Sequence, residues 1–333
     1  MTATIMANGL IDTILLAQDS GFWLPKQGST TAQAVDAVFH FILGVSVFFF
    51  VLIVVLMALF VIRYRRRPGD EAATGLTHST SLELLWSGIP VAIVLGIFYL
   101  SFMAYMDMKT APADPYDIQV TGQMWSWQFR YPNGAVSPEL HVPLDRPVLL
   151  TMTSQDVVHS LFVPRFRMKM DLVPGRYTQA WFRAVIPGEH DLYCAEYCGR
   201  GHSDMLSKVV VHEAGRFEDW VQKAANIIGT IPDDEAGKQI FNNNGCAQCH
   251  AVEPGKMAAG GGPNLGGIFG ETHRFRDGTS AVVDENYIRE SILEPNAKVR
   301  EGFQAVMPVF KGRITDDEIR VIIQYIKSLS GKE

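Results

Sequence analysis

Two long runs without a charged side chain, 39–62 and 84–106, dominate the first third of this 333-residue chain. At about 1.5 Å per residue in a helix, either run can cross a hydrocarbon core about 30 Å thick. The second run contains Pro90, a residue that membrane helices tolerate better than soluble helices do. Buried helices of a soluble core are the alternative, but two such lengths in succession favour membrane spans. We therefore expect a two-helix transmembrane hairpin over 35–112.

The basic cluster 63–67, Arg-Tyr-Arg-Arg-Arg, directly follows the first run. Basic residues beside a span stay on the cytoplasmic side of the membrane. The hairpin loop is therefore expected inside, and the N-terminal segment 1–34 and everything after the second span are expected outside. The short apolar stretch 11–17 leaves a cleaved signal peptide open as an alternative.

Charge and cysteine usage narrow the function classes. The formal net charge is −6, and the chain lacks the concentrated basic surface that nucleic-acid binders carry. Its cysteines form two close pairs, each accompanied by histidine, whereas a disulfide framework would usually link distant segments. The pairs therefore favour metal or haem sites. They are Cys194 with Cys198, and Cys246 with Cys249.

Between 113 and 222 the sequence changes to short runs rich in Val, Phe, Tyr and Trp that are broken by Pro and Gly. Short strands at close spacing with turn residues between them are typical of an antiparallel sandwich or barrel. The pattern predicts strands at 116–121, 124–131, 147–153, 157–163, 178–185 and 206–212.

A loop just before the last predicted strand carries the chemistry of this domain. It contains Cys194, Cys198, His202 and Met205, and His159 lies on an earlier strand. Thiolate, thioether and imidazole together are the ligands that soft copper selects, and two cysteines allow both sulfurs to bridge a copper pair. Zinc held by two cysteines and two histidines is the alternative. Zinc sites, however, do not usually include a methionine ligand such as Met205, so copper is preferred.

The motif C-x-E-x-C-x-x-x-H-x-x-M, together with the upstream histidine, resembles the CuA site of cytochrome c oxidase subunit II. The hairpin, the aromatic segment 122–129 and the turn 173–176, Val-Pro-Gly-Arg, match the same family, so the resemblance covers about 25–220. It implies an all-β, cupredoxin-like copper domain.

The resemblance also implies roles for individual residues. Glu196 would offer its backbone carbonyl to copper, and its carboxylate would face a magnesium ion at the interface with subunit I. Trp125 would receive electrons near the copper pair, although ordinary packing is the alternative. Glu83 would match an acid near a proton-pathway entrance, although an acid at the end of a span is otherwise unremarkable. The implied side-chain ligands of the binuclear CuA centre are His159, Cys194, Cys198, His202 and Met205.

A second domain is expected over 234–333, after a linker at 223–233. Asp233 or Asp234 is a candidate cap for a helix that would end at Cys246-Ala-Gln-Cys249-His250. C-x-x-C-H is the attachment signature of haem c, with both thiols bonded to the haem and the histidine beneath the iron. A redox dithiol is the alternative, but the adjacent histidine on the outer face favours haem.

The haem iron needs a sixth ligand, and Met307 is the preferred candidate because Met257 lies too near the attachment site. Thr315 and Glu318 form a capping-box pattern before a helix with apolar residues at helical spacing. These features resemble class I cytochromes c, an all-α family in which a proline carbonyl, here that of Pro263, accepts a hydrogen bond from the haem-binding histidine. His273 is expected at the surface.

The combination predicts a multi-domain subunit II of a caa3-type cytochrome c oxidase. Electrons would pass from haem c to CuA and then to haem a of subunit I, where O2 reduction would be coupled to proton pumping. Subunits I and III would be membrane partners, and the donor would be a soluble cytochrome c, a copper protein or a quinol-oxidising complex. The location would be the bacterial plasma membrane, with both redox domains on the periplasmic face. Copper delivery, a quinol oxidase and nitrous-oxide reduction are rivals that fit the combined motifs less well.

Overall fold

The computed structural model describes residues 23–69, 75, 78–258 and 260–331. These residues fall into two compact units, one ending at Ala111 and the other beginning at Pro112. The expected signal-peptide stretch 11–17 and most of the segment 1–34 lie outside the described residues.

The first unit contains two helices, α1 (Ala32–Arg63) and α2 (Thr80–Lys109). Each is long and apolar enough to cross a membrane, with mean hydropathy of 3.3 and 2.1 over the most apolar window. None of the residues in those windows is buried by protein, which suits side chains that contact lipid. Both helices extend beyond the predicted spans 39–62 and 84–106. The prediction counted uncharged residues only, whereas the helical hydrogen bonds of the backbone continue through the polar residues at the helix ends.

The copper-domain part of the second unit consists of two five-stranded sheets. The strands are β1 (Tyr116–Gln123), β2 (Ser126–Arg130), β3 (Val136–Ser137), β4 (Leu140–Pro143), β5 (Pro147–Ser154), β6 (His159–Val163), β7 (Met168–Leu172), β8 (Thr178–Arg183), β9 (Gly188–Cys194) and β10 (Leu206–His212). One sheet has the order β3-β2-β1-β5-β8 and the other β4-β10-β9-β6-β7. Buried apolar side chains such as Phe129, Phe182 and Leu161 lie in one continuous core.

All six predicted strands are present, but the expectation of a purely antiparallel arrangement is wrong. β1 pairs in parallel with β5, and β10 pairs in parallel with β4. Sequence reasoning also missed four strands, including β9, whose buried positions alternate with charged Glu189 and Asp191. The alternation of buried and exposed residues that marks a strand was therefore present in β9. The charged residues on its exposed face made the segment look unlike the apolar runs used to predict strands.

Helix α3 (Arg216–Ala225) packs on the copper domain through a cluster of rings. The rings of His141 and Trp220 stack at 3.8 Å between centroids, and His141 Nδ1 lies 2.8 Å from His212 Nε2. Because α3 continues to Ala225, the first residues of the predicted linker 223–233 belong to a helix.

The cytochrome part contains helices α4 (Asp233–Asn243), α5 (Glu285–Leu293) and α6 (Asp316–Ser328), and the short hairpin β11 (Thr272–Arg274) and β12 (Ser280–Val282). α4 and α6 approach so closely that a Cβ on Gly237 would lie 1.9 Å from the carbonyl oxygen of Val321. The predicted capping box at Thr315 and Glu318 is present. This all-α core, with its own buried apolar cluster, confirms the expected fold class of three parts.

Two expectations for this domain are wrong. The N-cap of α4 is Pro232, so Asp233 and Asp234 lie in the first helical turn, where their charge still suits the helix dipole. His273 is buried rather than at the surface, because β11 turns its ring toward Tyr287 and the Glu271 carboxylate.

The histidine pair beneath α3 makes acid destabilise the copper domain. Burial, and secondarily His212, lower the pKa of His141 to about 3, so the unfolded chain binds the proton more tightly than the folded domain does. Stability is therefore full above about pH 6.5 and falls as the pH drops toward 3, by about 2 kcal/mol at about pH 5. We expect His141→Phe, which keeps the stack on Trp220, to flatten this slope in denaturant titrations followed by tryptophan fluorescence.

The exposed histidine His78 offers the control. His78→Gln should retain the wild-type pH dependence, and an unchanged slope in His141→Phe would contradict the assignment.

Candidate metal and haem sites

Three segments of the copper domain bring the predicted metal ligands together. His159 begins β6, Cys194 ends β9, and the loop from there to β10 carries the remaining donors. Within that loop a short 3-10 turn, His202–Asp204, brings Met205 back to hydrogen bond with Cys194 through the backbone, at 3.3 Å between O and N. The pairing of β6 with β9 then sets Leu161 opposite Cys194, close to the histidine strand end.

The donor atoms form a connected set. The two sulfurs of Cys194 and Cys198 are 3.8 Å apart, Cys194 Sγ is 3.9 Å from His159 Nδ1, and Cys198 Sγ is 3.5 Å from His202 Nδ1. Met205 Sδ lies 3.8 Å from Cys198 Sγ. The carbonyl oxygen of Glu196 lies 3.3 Å from Cys194 Sγ. All six predicted copper donors are therefore brought together.

The site can accommodate a metal that shares both thiolates. Metal–thiolate bonds of about 2.3 Å allow two sulfurs on one ion to be up to about 4.6 Å apart, and the observed sulfur separation of 3.8 Å falls within that limit. His159, Cys198 and Met205 are at most 3% exposed, so most of the donor set is shielded from water. A buried set of thiolates, imidazoles and one thioether fits copper.

Asp156 is a functional residue that the sequence reasoning missed. Its carboxylate accepts hydrogen bonds from His159 Nε2 at 2.8 Å and from the backbone amides of Met124 and Val157 at 2.7 Å each. Because Nε2 is engaged, Nδ1 is the nitrogen that faces Cys194. Carboxylates that fix the tautomer of a metal-binding histidine are common, and the Asp-x-x-His spacing was the available signal.

The protonation of the metal-free site is asymmetric. Burial alone would raise the pKa of the Cys194 thiol, but hydrogen bonds, chiefly from His159 and Ser160, lower it to about 6. Burial and the neighbouring Cys194 thiolate raise the pKa of Cys198 to about 12. Burial would lower the pKa of His159, but hydrogen bonds and charge attraction from Asp156 and Cys194 together raise it to about 9. A metal must therefore displace protons from Cys198 and His159 when it binds.

The second candidate site lies at the end of α4. Gly245, with φ of +75°, turns the chain into the 3-10 turn Cys246–Gln248, which presents Cys246, Cys249 and His250 from one tight loop. His250 Nδ1 lies 2.8 Å from the carbonyl oxygen of Pro263, the contact implied by the resemblance to class I cytochromes. This leaves Nε2 as the ring nitrogen available to an iron.

Both thiols of this turn are free and partly covered. Burial raises the pKa of Cys246 to about 12 and lowers the pKa of His250, so the imidazole is neutral, which is the form that binds metal. Met307 is half-buried and packs against the cytochrome core, whereas Met257 is 77% exposed. The residues thus fit a covalently held haem.

Comparisons with known proteins agree with this geometry. Three family models match: the cytochrome C oxidase subunit II transmembrane domain at 17–104, its periplasmic domain at 133–213, and cytochrome c at 235–330. Cytochrome c oxidase subunit 2 of Alkalihalophilus pseudofirmus is 30% identical over 307 residues, which cover 88% of this chain and 87% of that protein. The chain belongs to the cytochrome c oxidase subunit II family.

Further relatives carry the same name. Subunit 2 from Thermostichus vulcanus is 32% identical over 63% of this chain and 80% of its own length. The crystal structure of the periplasmic domain of subunit II from Bradyrhizobium japonicum is 29% identical, with a TM-score of 0.33, and covers 34% of this chain and 96% of that one.

Family membership gives this subunit II chain a coarse function. It is an electron-transfer subunit of a haem-copper oxidoreductase complex, with a CuA copper site in its β domain and a haem c in its C-terminal domain. The two apolar helices and the matched transmembrane domain indicate that it is membrane-anchored.

The remaining predicted residues occupy distinct places. The Trp125 indole Nε1 donates a hydrogen bond to the carbonyl of Cys198 at 3.0 Å. The side chain of Glu196 is exposed beside the copper donors. Glu83 lies in the first turn of α2 in the hairpin unit, where its carboxylate is 2.8 Å from His78 Nδ1.

Removing the Asp156 carboxylate should weaken the metal site without touching a donor. We expect Asp156→Ala to lower copper affinity by about 10- to 100-fold, the usual effect of losing a carboxylate that orients a histidine ligand. Titrating the detergent-solubilised protein with copper in the presence of a competing chelator, and recording its absorption spectrum, measures the copper affinity. Asp191→Ala, on the exposed face of β9, should bind copper like wild type. Equal affinities for both variants would refute the role of Asp156.

Proposed function

We propose that this chain is the electron-entry subunit of a caa3-type cytochrome c oxidase. Electrons would enter at haem c, pass to a binuclear CuA centre and continue to haem a of subunit I, where oxygen is reduced to water and protons are pumped. The observation that carries this proposal is the presence of both donor sets, for copper and for haem, within one compact unit. We assign 113–222 to the copper domain, 223–233 to the linker and 234–333 to the cytochrome domain.

In this proposal the thiolates of Cys194 and Cys198 and the imidazoles of His159 and His202 would hold the copper pair. The Met205 thioether and the Glu196 carbonyl would be its weaker ligands. The burial of Cys194, Cys198 and Met205 and the pairing of β6 with β9 support a centre whose geometry changes little when an electron arrives. When bound, the copper pair supplies a one-electron store.

The C-terminal residues would hold haem c through thioether bonds from Cys246 and Cys249. His250, oriented by the Pro263 carbonyl, and Met307 would be the protein ligands of the iron. Ligation by methionine together with histidine raises the haem potential, which suits acceptance of electrons from a soluble cytochrome c, a copper protein or a quinol-oxidising complex.

Three further assignments rest on the family pattern. Trp125 would carry electrons into the copper pair, and its contact with the Cys198 carbonyl supports this role. The exposed Glu196 carboxylate would face magnesium at the boundary with subunit I. Glu83 would lie near the entrance of a proton pathway in subunit I, and its position in the first turn of α2 agrees with a membrane boundary.

The basic cluster 63–67 supports an orientation with the hairpin loop inside the cell. Both redox domains would then project from the outer face of the bacterial plasma membrane, and the hairpin would pack against subunits I and III.

The copper relay is tested by Cys198→Ser in the assembled oxidase. We expect loss of the near-infrared band of the mixed-valence copper pair and loss of rapid haem a reduction, because a hydroxyl cannot replace a bridging thiolate. Haem c should remain reducible. Ser203→Ala, an exposed position in the same loop, is the matched control. Rapid haem a reduction in Cys198→Ser would rule out the relay.

The sixth haem ligand is tested by comparing Met307→Ala with Met257→Ala. Loss of the thioether at 307 should leave the haem covalently attached but lower its reduction potential in a spectroelectrochemical titration, because methionine ligation favours the ferrous iron. Met257→Ala should titrate like wild type. A reversed pattern would assign the ligand to Met257.

A further inference from the structure

The copper and cytochrome domains meet along a surface that we call the domain seam. On the copper-domain side it is defined by residues of β1, β2 and β3: Gln123, Ser126, Gln128, Arg130 and Val136. On the cytochrome side it is defined by Asn243, Asn244, Gly245 and Arg313. Five hydrogen bonds and one close backbone approach cross it. Gln123, Ser126, Gln128 and Asn244 are all at most 7% exposed, so the seam excludes water at its centre.

The closest approach at the seam involves the residue before the first haem-binding cysteine. A Cβ on Gly245 would lie 2.7 Å from the Oγ and 3.1 Å from the Cβ of Ser126. Glycine is therefore required there for two reasons, the positive φ and the lack of space. This contact brings the turn that carries Cys246 against the copper domain.

Buried amides fix the position of that turn. Gln128 Nε2 donates to Asn244 Oδ1 at 2.9 Å, and Asn243 Nδ2 donates to the carbonyl of Val136 at 2.9 Å. Asn244 Nδ2 in turn donates to the carbonyl of Ile240 within α4. Because a buried amide left unpaired costs about 1–3 kcal/mol, the domains cannot slide along each other without breaking these bonds.

Arg313 closes the other side of the seam. Its two terminal nitrogens donate to Gln123 Oε1 at 3.2 and 3.3 Å, while the Gln123 amide nitrogen donates to Ser126 Oγ at 3.2 Å. The Arg130 guanidinium donates to the Arg313 carbonyl at 3.4 Å. Among these contacts between described residues there is no carboxylate, so guanidinium and amide donors paired with carbonyl and amide oxygens hold the seam, rather than ion pairs.

From Ser126 the chain leads directly to the copper donors. The next residue toward the N-terminus is Trp125, whose indole donates to the carbonyl of Cys198 and packs under the loop at Gly201, where a Cβ would be 2.6 Å from the ring. A continuous series of contacts therefore joins Cys246, Gly245, Ser126, Trp125 and Cys198.

We propose that the domain seam is a permanent docking surface in which Arg313 and Asn244 are positioning residues, and that electrons cross from the haem-bearing turn to the copper site where Gly245 meets Ser126. This rests on the proposed function and adds the residues that set the transfer geometry. The step moves one electron and no proton: the ferrous haem iron becomes ferric, and the copper pair gains that electron. An external one-electron donor then restores the ferrous iron.

The first test distinguishes the steric contact between Gly245 and Ser126 from the backbone strain that any residue other than glycine has at a positive φ. Gly245→Ala and Gly255→Ala carry nearly the same φ, +75° and +77°, but the Cβ at 255 meets nothing within 4 Å. In the purified oxidase we expect Gly245→Ala to slow electron transfer from haem c to copper by a few-fold, because the added methyl group pushes the haem-bearing turn away from Ser126 and tunnelling weakens with distance. Gly255→Ala should transfer at the wild-type rate.

A second substitution, Ser126→Gly, keeps this test decisive if the Gly245→Ala subunit assembles poorly into the oxidase. Ser126→Gly removes the atoms that the new Cβ would meet, so the double variant should recover most of the lost rate. Non-additivity of that kind is expected only for residues in contact. No recovery in a fully haem-loaded double variant would contradict the crossing point.

The second test measures docking itself. Arg313→Met should increase hydrogen exchange of the segments 123–130 and 242–246 in the assembled oxidase. Arg289→Met, which loses an exposed ion pair with Asp316 inside the cytochrome domain, should leave exchange in both segments unchanged. Wild-type protection in Arg313→Met would overturn the positioning role.

Salt dependence and direct reduction distinguish this proposal from the function on which it rests. Since hydrogen bonds rather than ion pairs join the described residues of the seam, the internal transfer rate should change less than about two-fold between about 0.1 and 1 M salt, over which the Debye length falls from about 10 to about 3 Å. A steep salt dependence would indicate transient docking instead. In the wild-type oxidase, a small reductant that reduces copper directly while reduced haem c fails to reduce it would rule out the proposed relay. The hydrogen-exchange measurements would still test the seam in that case.

Discussion

The turn Met124–Trp125 is the support on which the copper site depends. The Met124 amide binds the Asp156 carboxylate, which orients His159, and the Trp125 indole binds the carbonyl of Cys198. Ligands on a strand and ligands on a loop are thereby tied to one hairpin. The histidine strand β6 and the strand β9 before the loop are already neighbours in one sheet, and this shared support ties the loop itself to them.

The same hairpin also receives the cytochrome domain. Ser126 and Gln128 follow Trp125 directly and contact the end of α4, where the haem-binding turn begins. A displacement of β1 or β2 would therefore move both the copper loop and the docked domain together. Such coupling preserves the relative position of the two redox sites even if the protein as a whole fluctuates.

Much of this arrangement could be predicted from the sequence, and the exceptions share a physical cause. The features that were predicted correctly depend on local patterns. They are the two spans, the six aromatic-rich strands, the loop with the metal donors, the C-x-x-C-H motif and the capping box at Thr315. The parallel pairing of β1 with β5, the burial of His273 and the role of Asp156 depend on contacts between distant segments. Asp156 shows the difference well, because its spacing to His159 was visible but its bond to the Met124 amide required the fold.

The domains are covalently connected, which explains why hydrogen bonds without ion pairs are enough to join the described residues of the seam. A soluble donor must find its partner by diffusion and leave again, so charge complementarity that raises the encounter rate is useful. A domain joined by the short segment 223–233 is always near its partner, at an effective concentration that reaches the millimolar range for short linkers. Contacts at the seam then need only specify position, which buried amides such as Asn244 and Gln128 do through direction rather than attraction. Fusion therefore makes complementary ion pairs dispensable between haem c and copper.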